Sequence, residues 1–233
     1  MPKDAVEWHT EIATQFDAGY GRSDNFKERF NIFSELIRRY SGLNKSVIDL
    51  GCGAGIFSLC AAPLNRQVTG IDGSDAMIAI GKNKVEEIKL NNNVDFMVRD
   101  ITTLTTADVK PADLIICSSV LEYIEDIEKS ASVIDLLLNE GGTLIVSMPN
   151  KSSIYRKFEK FTFYLFKWPK YYQFVKNILT VDEMSGLLAK RNYDIIESHY
   201  FSSTPILSKI FSGEIFKKNT NNLFVIVAQK NTQ

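Results

Sequence analysis

Three glycines at alternate positions near residue 50 are the residues best suited to hold a ligand. The stretch SVIDLGCGAGIFSL, residues 46–59, contains Gly51, Gly53 and Gly55 directly after an apolar run. Glycine adopts positive φ at little cost and lets a ligand approach the backbone closely. The pattern predicts a strand, a tight turn and a helix. In an open parallel sheet, such a turn lies at the carboxyl ends of the strands, where ligands bind.

The spacing of these glycines disfavours two common nucleotide sites. The dinucleotide fingerprint is G-x-G-x-x-G, and the position of its third glycine holds Ile56. A phosphate loop of the Walker type requires G-K-[ST], which this stretch lacks. NAD is therefore a disfavoured ligand for the turn.

Two acids follow later strands at ordered positions. Asp72 ends the run VTGID, 23 residues after Asp49, and Asp100 follows the third apolar run. A carboxylate offers paired acceptor oxygens, which suit two neighbouring hydroxyl groups. Helix starts and turns also favour acids, so a purely structural role is the alternative for both residues.

The composition limits the class of protein. The chain has 233 residues, of which 45% are hydrophobic, and a net charge of −1. A sizeable core is expected, and a nucleic-acid partner is not. The first 15 residues contain no apolar run, so no secretory signal is expected, and no stretch approaches the roughly 20 apolar residues of a membrane span. The three cysteines lack metal-ligand spacing and fit a reduced cytosol, so we expect a cytoplasmic protein.

Apolar runs that alternate with helical patterns predict an α/β fold. The predicted strands are 47–50, 67–71, 94–98, 114–117, 143–148, 193–201 and 223–228. The clearest helices are 75–90, 120–138 and 181–190, with a glycine helix stop in NEGG before the fifth strand, and the first 40 residues look helical. Strands that alternate with helices imply crossover connections and a parallel sheet covered on both faces.

The stretch DLGCGAG, residues 49–55, resembles the first motif of class I S-adenosylmethionine-dependent methyltransferases, (D/E)-x-G-x-G-x-G, at every fixed position. Asp72 and Asp100 fall in the order of that family's later motifs, and DLIICSSVLEYIEDIEKS resembles its fourth motif. The resemblance covers residues 45–150 well. It implies a Rossmann-like fold with a seven-stranded, mostly parallel sheet, S-adenosylmethionine as cofactor and S-adenosylhomocysteine as product.

The same resemblance implies a set of cofactor-binding residues in the N-terminal segment and after the first four strands. They are Tyr20, Asp49, Gly51, Gly53, Gly55, Asp72, Gly73, Ser74, Met77, Asp100, Ile101 and Ser118. Asp72 would accept hydrogen bonds from both ribose hydroxyls, and Asp100 would accept one from the adenine amino group. The N–H of Ile101 would serve the adenine ring, and the carbonyl of Ser118 the methionine amino group. Met77 would pack on the adenine, although core packing explains its spacing equally well.

Candidate bases are scarce because the chain has two histidines. The catalytic candidates are His9, in the segment that covers the cofactor in similar enzymes, and Tyr123. SSVLEYIEDI resembles E-V-L-E-H-[IV] of the ubiquinone-biosynthesis O-methyltransferases, but Ser119 and Tyr123 replace its first Glu and its His. Glu122 alone remains of a group that would bind a divalent metal, and a lone carboxylate is a poor metal site. We expect no metal, with Tyr123 donating to the acceptor or, at a lowered pKa, taking its proton; packing roles are the alternative for both candidates.

The expected activity is methyl transfer from S-adenosylmethionine to a small-molecule or amphiphilic acceptor, at oxygen. A hydroxyl acceptor would need a base, whereas an amine needs less help, so N-methylation of a small metabolite stays open. A non-catalytic cofactor-binding subunit that supports a partner enzyme is a further alternative. An RNA methyltransferase is disfavoured because the fourth strand ends in CSSV, which does not resemble N-P-P-[YF].

Residues 151–180 form a basic, aromatic stretch after the fifth strand. Six lysines, one arginine and one glutamate give it a net charge of +6, and ten of its thirty residues are aromatic. Apolar residues recur at the three- and four-residue spacing of one helix face: Ile154, Phe158, Phe161, Leu165 and Trp168. Arg156, Lys157, Lys160 and Lys167 lie mostly away from this face. The pattern is typical of a membrane-interface helix; a lid helix that packs its aromatics on the domain is the alternative.

These observations predict one methyltransferase domain over residues 1–233. Its parts would be an N-terminal helical cap at 1–44, a cofactor-binding core at 45–150, a substrate-cap insertion at 151–180 and the rest of the sheet at 181–233. The insertion would admit a small or lipid-like acceptor and contact anionic membrane at its surface.

Overall fold

Seven strands form one sheet at the centre of the molecule. The computed structural model describes residues 2–65, 67–90, 93–203 and 214–232. The strands are β1 (Ser46–Leu50), β2 (Gln67–Asp72), β3 (Val94–Val98), β4 (Ala112–Ser118), β5 (Leu138–Pro149), β6 (Tyr193–Ser203) and β7 (Asn221–Lys230). They lie in the order β3-β2-β1-β4-β5-β7-β6, and β7 alone among them is antiparallel to its neighbours. This arrangement confirms the predicted, mostly parallel sheet.

Helices cover both faces of the sheet. They are α1 (Ala5–Glu11), α2 (Ala13–Arg22), α3 (Asp24–Tyr40), α4 (Ile56–Ala61), α5 (Asp75–Ile88), α6 (Ile127–Leu137), α7 (Ile154–Phe166), α8 (Val181–Ala189) and α9 (Glu214–Thr220). Successive side chains of a strand point to opposite faces. In β1, Ile48 and Leu50 accordingly join one buried cluster and Val47 joins another. Burial on both faces explains the nearly continuous apolar run of this central strand, and the predicted Rossmann-like fold is confirmed.

The predicted helix over residues 120–138 is divided in two. A 3-10 helix spans Leu121–Tyr123, and α6 starts afresh because the Asp126 carboxylate accepts a backbone N–H of its first turn at 3.0 Å. An acid at this position is a favoured helix cap. The predicted glycine stop is also wrong, since Gly141 lies inside β5 at a φ of 72°.

The N-terminal residues form helices, as expected. α3 buries Phe33, Leu36 and Ile37. α1 buries none of its residues fully, and a 2.7 Å hydrogen bond between Thr10 Oγ1 and Ser74 Oγ joins it to the start of α5. The division of the domain into four parts stays a prediction, and the stretch 204–213 of its last part lies outside the described residues.

Candidate active site

A cavity of about 990 Å³ lies at the carboxyl ends of the strands. One part of its lining, here called the glycine wall, follows β1 and β2: Gly51, Gly53, Asp72, Gly73 and Met77. Another part, here called the arginine wall, combines α3, the 3-10 helix after β4 and the 151–180 segment: Arg29, Ser119, Glu122, Arg156 and Tyr171. The cavity therefore joins the predicted cofactor site to the predicted insertion.

The glycine turn has the backbone that its sequence predicts. Gly51, Gly53 and Gly55 are all left-handed, with φ of 66°, 53° and 76°. Gly53 lines the cavity, and its N–H donates to Asp72 Oδ2 at 2.8 Å. A Cβ at Gly55 would lie 2.4 Å from the Phe96 ring. The absence of a side chain at Gly53 thus leaves room for a ligand, and its absence at Gly55 leaves room for the Phe96 ring.

Asp72 connects the turn to the ligand space. Its Oδ2 accepts the N–H of Gly53 and its Oδ1 the N–H of Ser74, each at 2.8 Å. A carboxylate oxygen has two lone pairs, so each oxygen retains one acceptor site for a hydroxyl group. Gly73 and Met77 line the cavity beside it. This arrangement fits a ligand that carries two neighbouring hydroxyls and a flat apolar ring.

Three of the predicted cofactor residues lie behind the cavity wall. Asp49 is 1% exposed and accepts the Ser58 hydroxyl at 2.7 Å, and burial raises the pKa of Asp49 to about 7. Ser74 is also 1% exposed, and its Oγ accepts the N–H of Met77 as the cap of α5. Gly55 precedes α4 and faces the core. In the structure these residues shape the turn and the helix starts around it, and their contact with a cofactor stays a prediction.

The nine other predicted cofactor residues line the cavity. Among them, Asp100 is exposed, and its Oδ1 accepts both the N–H and the hydroxyl of Thr102 at 2.8 Å. None of the described residues bonds its Oδ2, which is available to a ligand at the mouth. Ile101 follows β3, Ser118 is the last residue of β4, and Tyr20 lies on α2.

His9 lies among aromatic rings of the cavity lining. Its ring centroid is 5.1 Å from that of Tyr123 and 4.7 Å from that of Trp8. Its Nδ1 is 2.7 Å from the carbonyl oxygen of Ala5. Because a carbonyl only accepts, this nitrogen carries the proton and Nε2 keeps its lone pair. Burial lowers the pKa of His9, so the ring is neutral near pH 7.

Tyr123 cannot act as the base, because the pKa of its hydroxyl is raised and not lowered. Burial is the main cause that raises the pKa of its hydroxyl, so Tyr123 stays protonated and can only donate. Its neighbour Glu122 is 3% exposed, and burial raises the pKa of Glu122 to about 7. Proton acceptance near neutral pH therefore falls to His9 or Glu122.

Helix α7 turns its polar side toward the cavity. Arg156 Nη1 donates to Glu159 Oε2 and to the Tyr171 hydroxyl oxygen, both at 2.7 Å. The Tyr171 hydroxyl donates to Glu159 Oε1 at 2.6 Å. None of these three residues was predicted to belong to the site, although opposite charges three apart are a helix signal. Arg29, also missed, had no local signal.

The predicted apolar face of this segment is exposed. Ile154, Phe158, Phe161, Leu165 and Trp168 are between 51% and 58% exposed. The alternative in which a lid packs these aromatics on the domain is therefore wrong. Within the ranges that the structure describes, no helix is long and apolar enough to cross a bilayer. In the same ranges, no three His, Cys, Asp or Glu side chains are grouped to hold a metal ion.

Comparison with known sequences identifies related proteins. Residues 42–200 match a family model described as a methyltransferase domain. The ubiquinone biosynthesis O-methyltransferase of Coxiella burnetii (strain Dugway 5J108-111) is 34% identical over 108 residues, which are 46% of this chain and 45% of that protein. The similarity thus spans about half the length of this curated relative.

Solved structures share the fold at low identity. The N-methyltransferase NodS from Bradyrhizobium japonicum WM9, in complex with S-adenosyl-L-homocysteine, has a TM-score of 0.68 and 17% identity, covering 98% of this chain and 100% of that chain. The [4+2]-cyclase SpnF has a TM-score of 0.72 and 16% identity, covering 98% of this chain and 95% of that one. These likenesses concern the fold alone, because a shared fold does not fix the reaction.

The family match and the glycine wall lead to the same assignment. The matched residues, 42–200, are more than half of the chain and include the turn, Asp72 and Asp100. The predicted methyltransferase class and the predicted cofactor, S-adenosylmethionine, are confirmed. The chain belongs to the methyltransferase domain family.

Proposed function

We propose that this protein transfers the methyl group of S-adenosylmethionine to a hydroxyl oxygen of a small or amphiphilic acceptor. The observation that carries the proposal is one cavity that contains both the glycine wall and a neutral imidazole of fixed tautomer. When bound, S-adenosylmethionine supplies an electrophilic methyl group. Asp72 would hold its ribose and Met77 its adenine, beside the open space at Gly53.

His9 is the proposed base for the acceptor hydroxyl. Such a hydroxyl must lose its proton as it is methylated. The Nε2 lone pair of His9 is available because Nδ1–H is committed to the Ala5 carbonyl. Tyr123, packed edge-on against His9, would donate a hydrogen bond that orients the acceptor.

The test identifies the compounds that the protein methylates. The protein is incubated with labelled S-adenosylmethionine and a cell extract, and mass spectrometry identifies which compounds gain a methyl group at a hydroxyl. With the acceptor in hand, His9→Gln should lower kcat by about 10²- to 10⁴-fold, the usual contribution of a general base, and leave S-adenosylhomocysteine affinity unchanged. Addition of EDTA should not reduce the rate.

The matched control is His199→Gln, because His199 lies exposed on β6 beside Glu197. It should retain full activity. An extract in which no compound gains a methyl group, although the protein binds S-adenosylmethionine, would support the alternative of a non-catalytic subunit and overturn the proposal.

The pH profile separates oxygen from nitrogen acceptors. Burial lowers the pKa of His9 from 6.5, so the base is lost only as pH falls through a value below 6.5. Activity toward a hydroxyl should therefore be constant from about pH 7 to 8. An amine acceptor with a pKa near 10 must itself lose a proton, and the rate would then keep rising through this range.

We also propose that the exposed face of α7 rests on an anionic membrane surface, from which a lipid-like acceptor enters. The large apolar side chains of this face are exposed. A contiguous exposed apolar patch marks an interaction site. Lys157, Lys160 and Lys167 flank this face and have no ion-pair partner among the described residues. Each basic residue near an anionic lipid surface contributes about 1 kcal/mol of attraction.

Vesicle co-sedimentation tests the membrane contact. The native protein should bind vesicles of phosphatidylglycerol and phosphatidylcholine at low salt and detach at high salt, since the attraction is screened. A variant with Lys157, Lys160 and Lys167 changed to Glu should bind at least about 100-fold more weakly, since three attractions of about 1 kcal/mol each are lost.

The matched control carries the same change in charge elsewhere. Lys82, Lys110 and Lys129 are exposed on other parts of the chain, and changing them to Glu should weaken binding much less. Equal losses in the two variants would mean that net charge alone, and not this face, attracts the protein. A native protein that ignores the vesicles at low salt would refute the contact.

A further inference from the structure

The proposed base lies on a helix that has little core of its own. His9 belongs to α1, which has seven residues, none of them fully buried. Isolated helices shorter than about 12–15 residues are marginal in water, so contacts with other elements hold α1 in place. Some of these contacts reach the glycine wall. Thr10 bonds Ser74 at 2.7 Å, and a Cβ at Gly73 would lie 3.0 Å from the Val6 side chain.

Trp8 joins the same helix to the arginine wall. Its ring centroid lies 6.4 Å from that of Tyr171 and 6.0 Å from that of Phe174, both in the segment after α7. Phe174 is buried, and the Tyr171 hydroxyl forms hydrogen bonds with Arg156 and Glu159. Trp8 therefore rests on side chains that are themselves held by packing and by hydrogen bonds.

Trp8 also packs directly on the imidazole of His9. The two ring centroids are 4.7 Å apart and the planes cross at 78°. Tyr123 and Phe16 approach the same imidazole at 5.1 Å and 5.7 Å, with angles of 76° and 80°. Such edge-to-face pairs are a favoured aromatic geometry. Together with the bond between Nδ1 and the Ala5 carbonyl, these rings restrict the orientation of the base.

We propose that Trp8 is a positioning residue, which holds His9 in the cavity by joining α1 to the arginine wall. The inference rests on the proposed function, since it concerns the same base. A base must lie within hydrogen-bond reach of the proton that it takes, and a misplacement of about 1 Å can cost roughly 100-fold in rate. The segment after α7 thus sets the position of a base that lies more than 150 residues before it in the chain.

The same packing shields the imidazole from water. Burial lowers the pKa of His9, whereas the hydrogen bond to Ala5 and the charge of Asp72 act in the opposite direction. Tyr123, the titratable group packed against the ring, stays protonated and carries no charge. Loss of the Trp8 ring should therefore weaken the cause that lowers the pKa, so that the pKa of His9 rises.

An NMR titration of the histidine rings tests this in the full chain and needs no acceptor. Since the chain has two histidines, both imidazole signals can be followed as the pH changes. Trp8→Leu should raise the pKa of His9 by about 0.5 or more, because water then reaches the ring. Trp8→Phe, which keeps an aromatic ring, should stay close to the native value. Phe174→Leu, which removes a support of Trp8, should cause a smaller rise.

Trp168→Leu is the matched control, because Trp168 is the other tryptophan of the chain and is 58% exposed. It should leave the pKa of His9 unchanged. His199, exposed on β6, supplies a reference signal in every variant. The unfolding temperature shows whether each variant is folded; if Trp8→Leu is not, Phe174→Leu is judged by the same criterion.

Activity gives a second measurement once the acceptor is known. Trp8→Leu should lower kcat by about tenfold or more, because the base is displaced. The acidic limb of its pH–rate profile should move to higher pH together with the pKa of His9, since that limb reports the protonation of the base. Trp8→Phe should restore most of the rate.

Two results would overturn the inference while the proposed function stands. One is a pKa of His9 that is the same in the native protein and in folded Trp8→Leu. The other is an equal rise in Trp8→Leu and Trp168→Leu. A kcat that His9→Gln does not lower would instead count against the proposed function, whatever the Trp8 variants show.

Discussion

The glycine turn and helix α7 both carry regular sequence patterns, but the pattern of the turn fixes its backbone, whereas that of α7 left two orientations of its apolar face open. At the turn, the three glycines adopt the left-handed backbone that no other residue accepts so readily. In α7, the period correctly predicts a helix, yet the apolar face points outward and a polar face is buried. The difference shows that local backbone requirements are readable from sequence more directly than the orientation of an element.

The orientation of α7 follows from partners that are distant in sequence. Arg156 bonds Glu159 on its own helix, Tyr171 in the next segment and, through Nε at 3.1 Å, the carbonyl of Asn222 on β7. These groups form one polar network around the buried Glu159 carboxylate. Hydrophobic periodicity alone cannot anticipate a network whose members are up to 66 residues apart.

The largest expected effect reverses the usual ranking of apolar and charged side chains, because here the charged residue is the buried one. Arg156→Met should lower the free energy of unfolding by about 3–5 kcal/mol, because it leaves the Glu159 carboxylate buried without its partner. Phe158→Ser, on the exposed face, should change it by only about 0.5 kcal/mol or less. Urea denaturation measures both. A greater loss for Phe158→Ser would mean that the aromatic face packs inward.

A second test concerns the turn. Gly55→Ala should lower the free energy of unfolding by about 2–4 kcal/mol, through left-handed strain and the clash with Phe96. Gly21→Ala is the control, since no atom lies within 4 Å of the Cβ it would add; alanine there should be neutral or stabilising by up to about 1 kcal/mol. Similar stabilities for the two variants would contradict the structure of the turn.

The sheet was predictable because its signals are local. Each of the seven strands is an apolar run bounded by turns or helical patterns, and the first motif fixes where the sheet binds its ligand. The start of α6 was also readable from Asp126 as a cap. The early start of β5 was not, because it depends on Leu138 pairing with Ala112 across a shift in register.

The residues of the site were likewise predictable only where they carry a local signal. Asp72 and Gly53 follow from the motif, and His9 from the scarcity of histidines. Arg29 has no such signal, because a lysine- and arginine-containing amphipathic helix normally exposes its charges. Only the folded structure shows that this arginine of α3 lines a cavity.

The ligand of the glycine wall is the most direct test of the assigned cofactor, and calorimetry measures its binding. The native protein should bind S-adenosylmethionine and S-adenosylhomocysteine and give no response to NAD. Asp72→Ala should weaken both interactions by about 1–3 kcal/mol, the cost of leaving hydrogen-bonding groups unpaired. Tight binding of NAD, with no response to S-adenosylmethionine, would contradict the account.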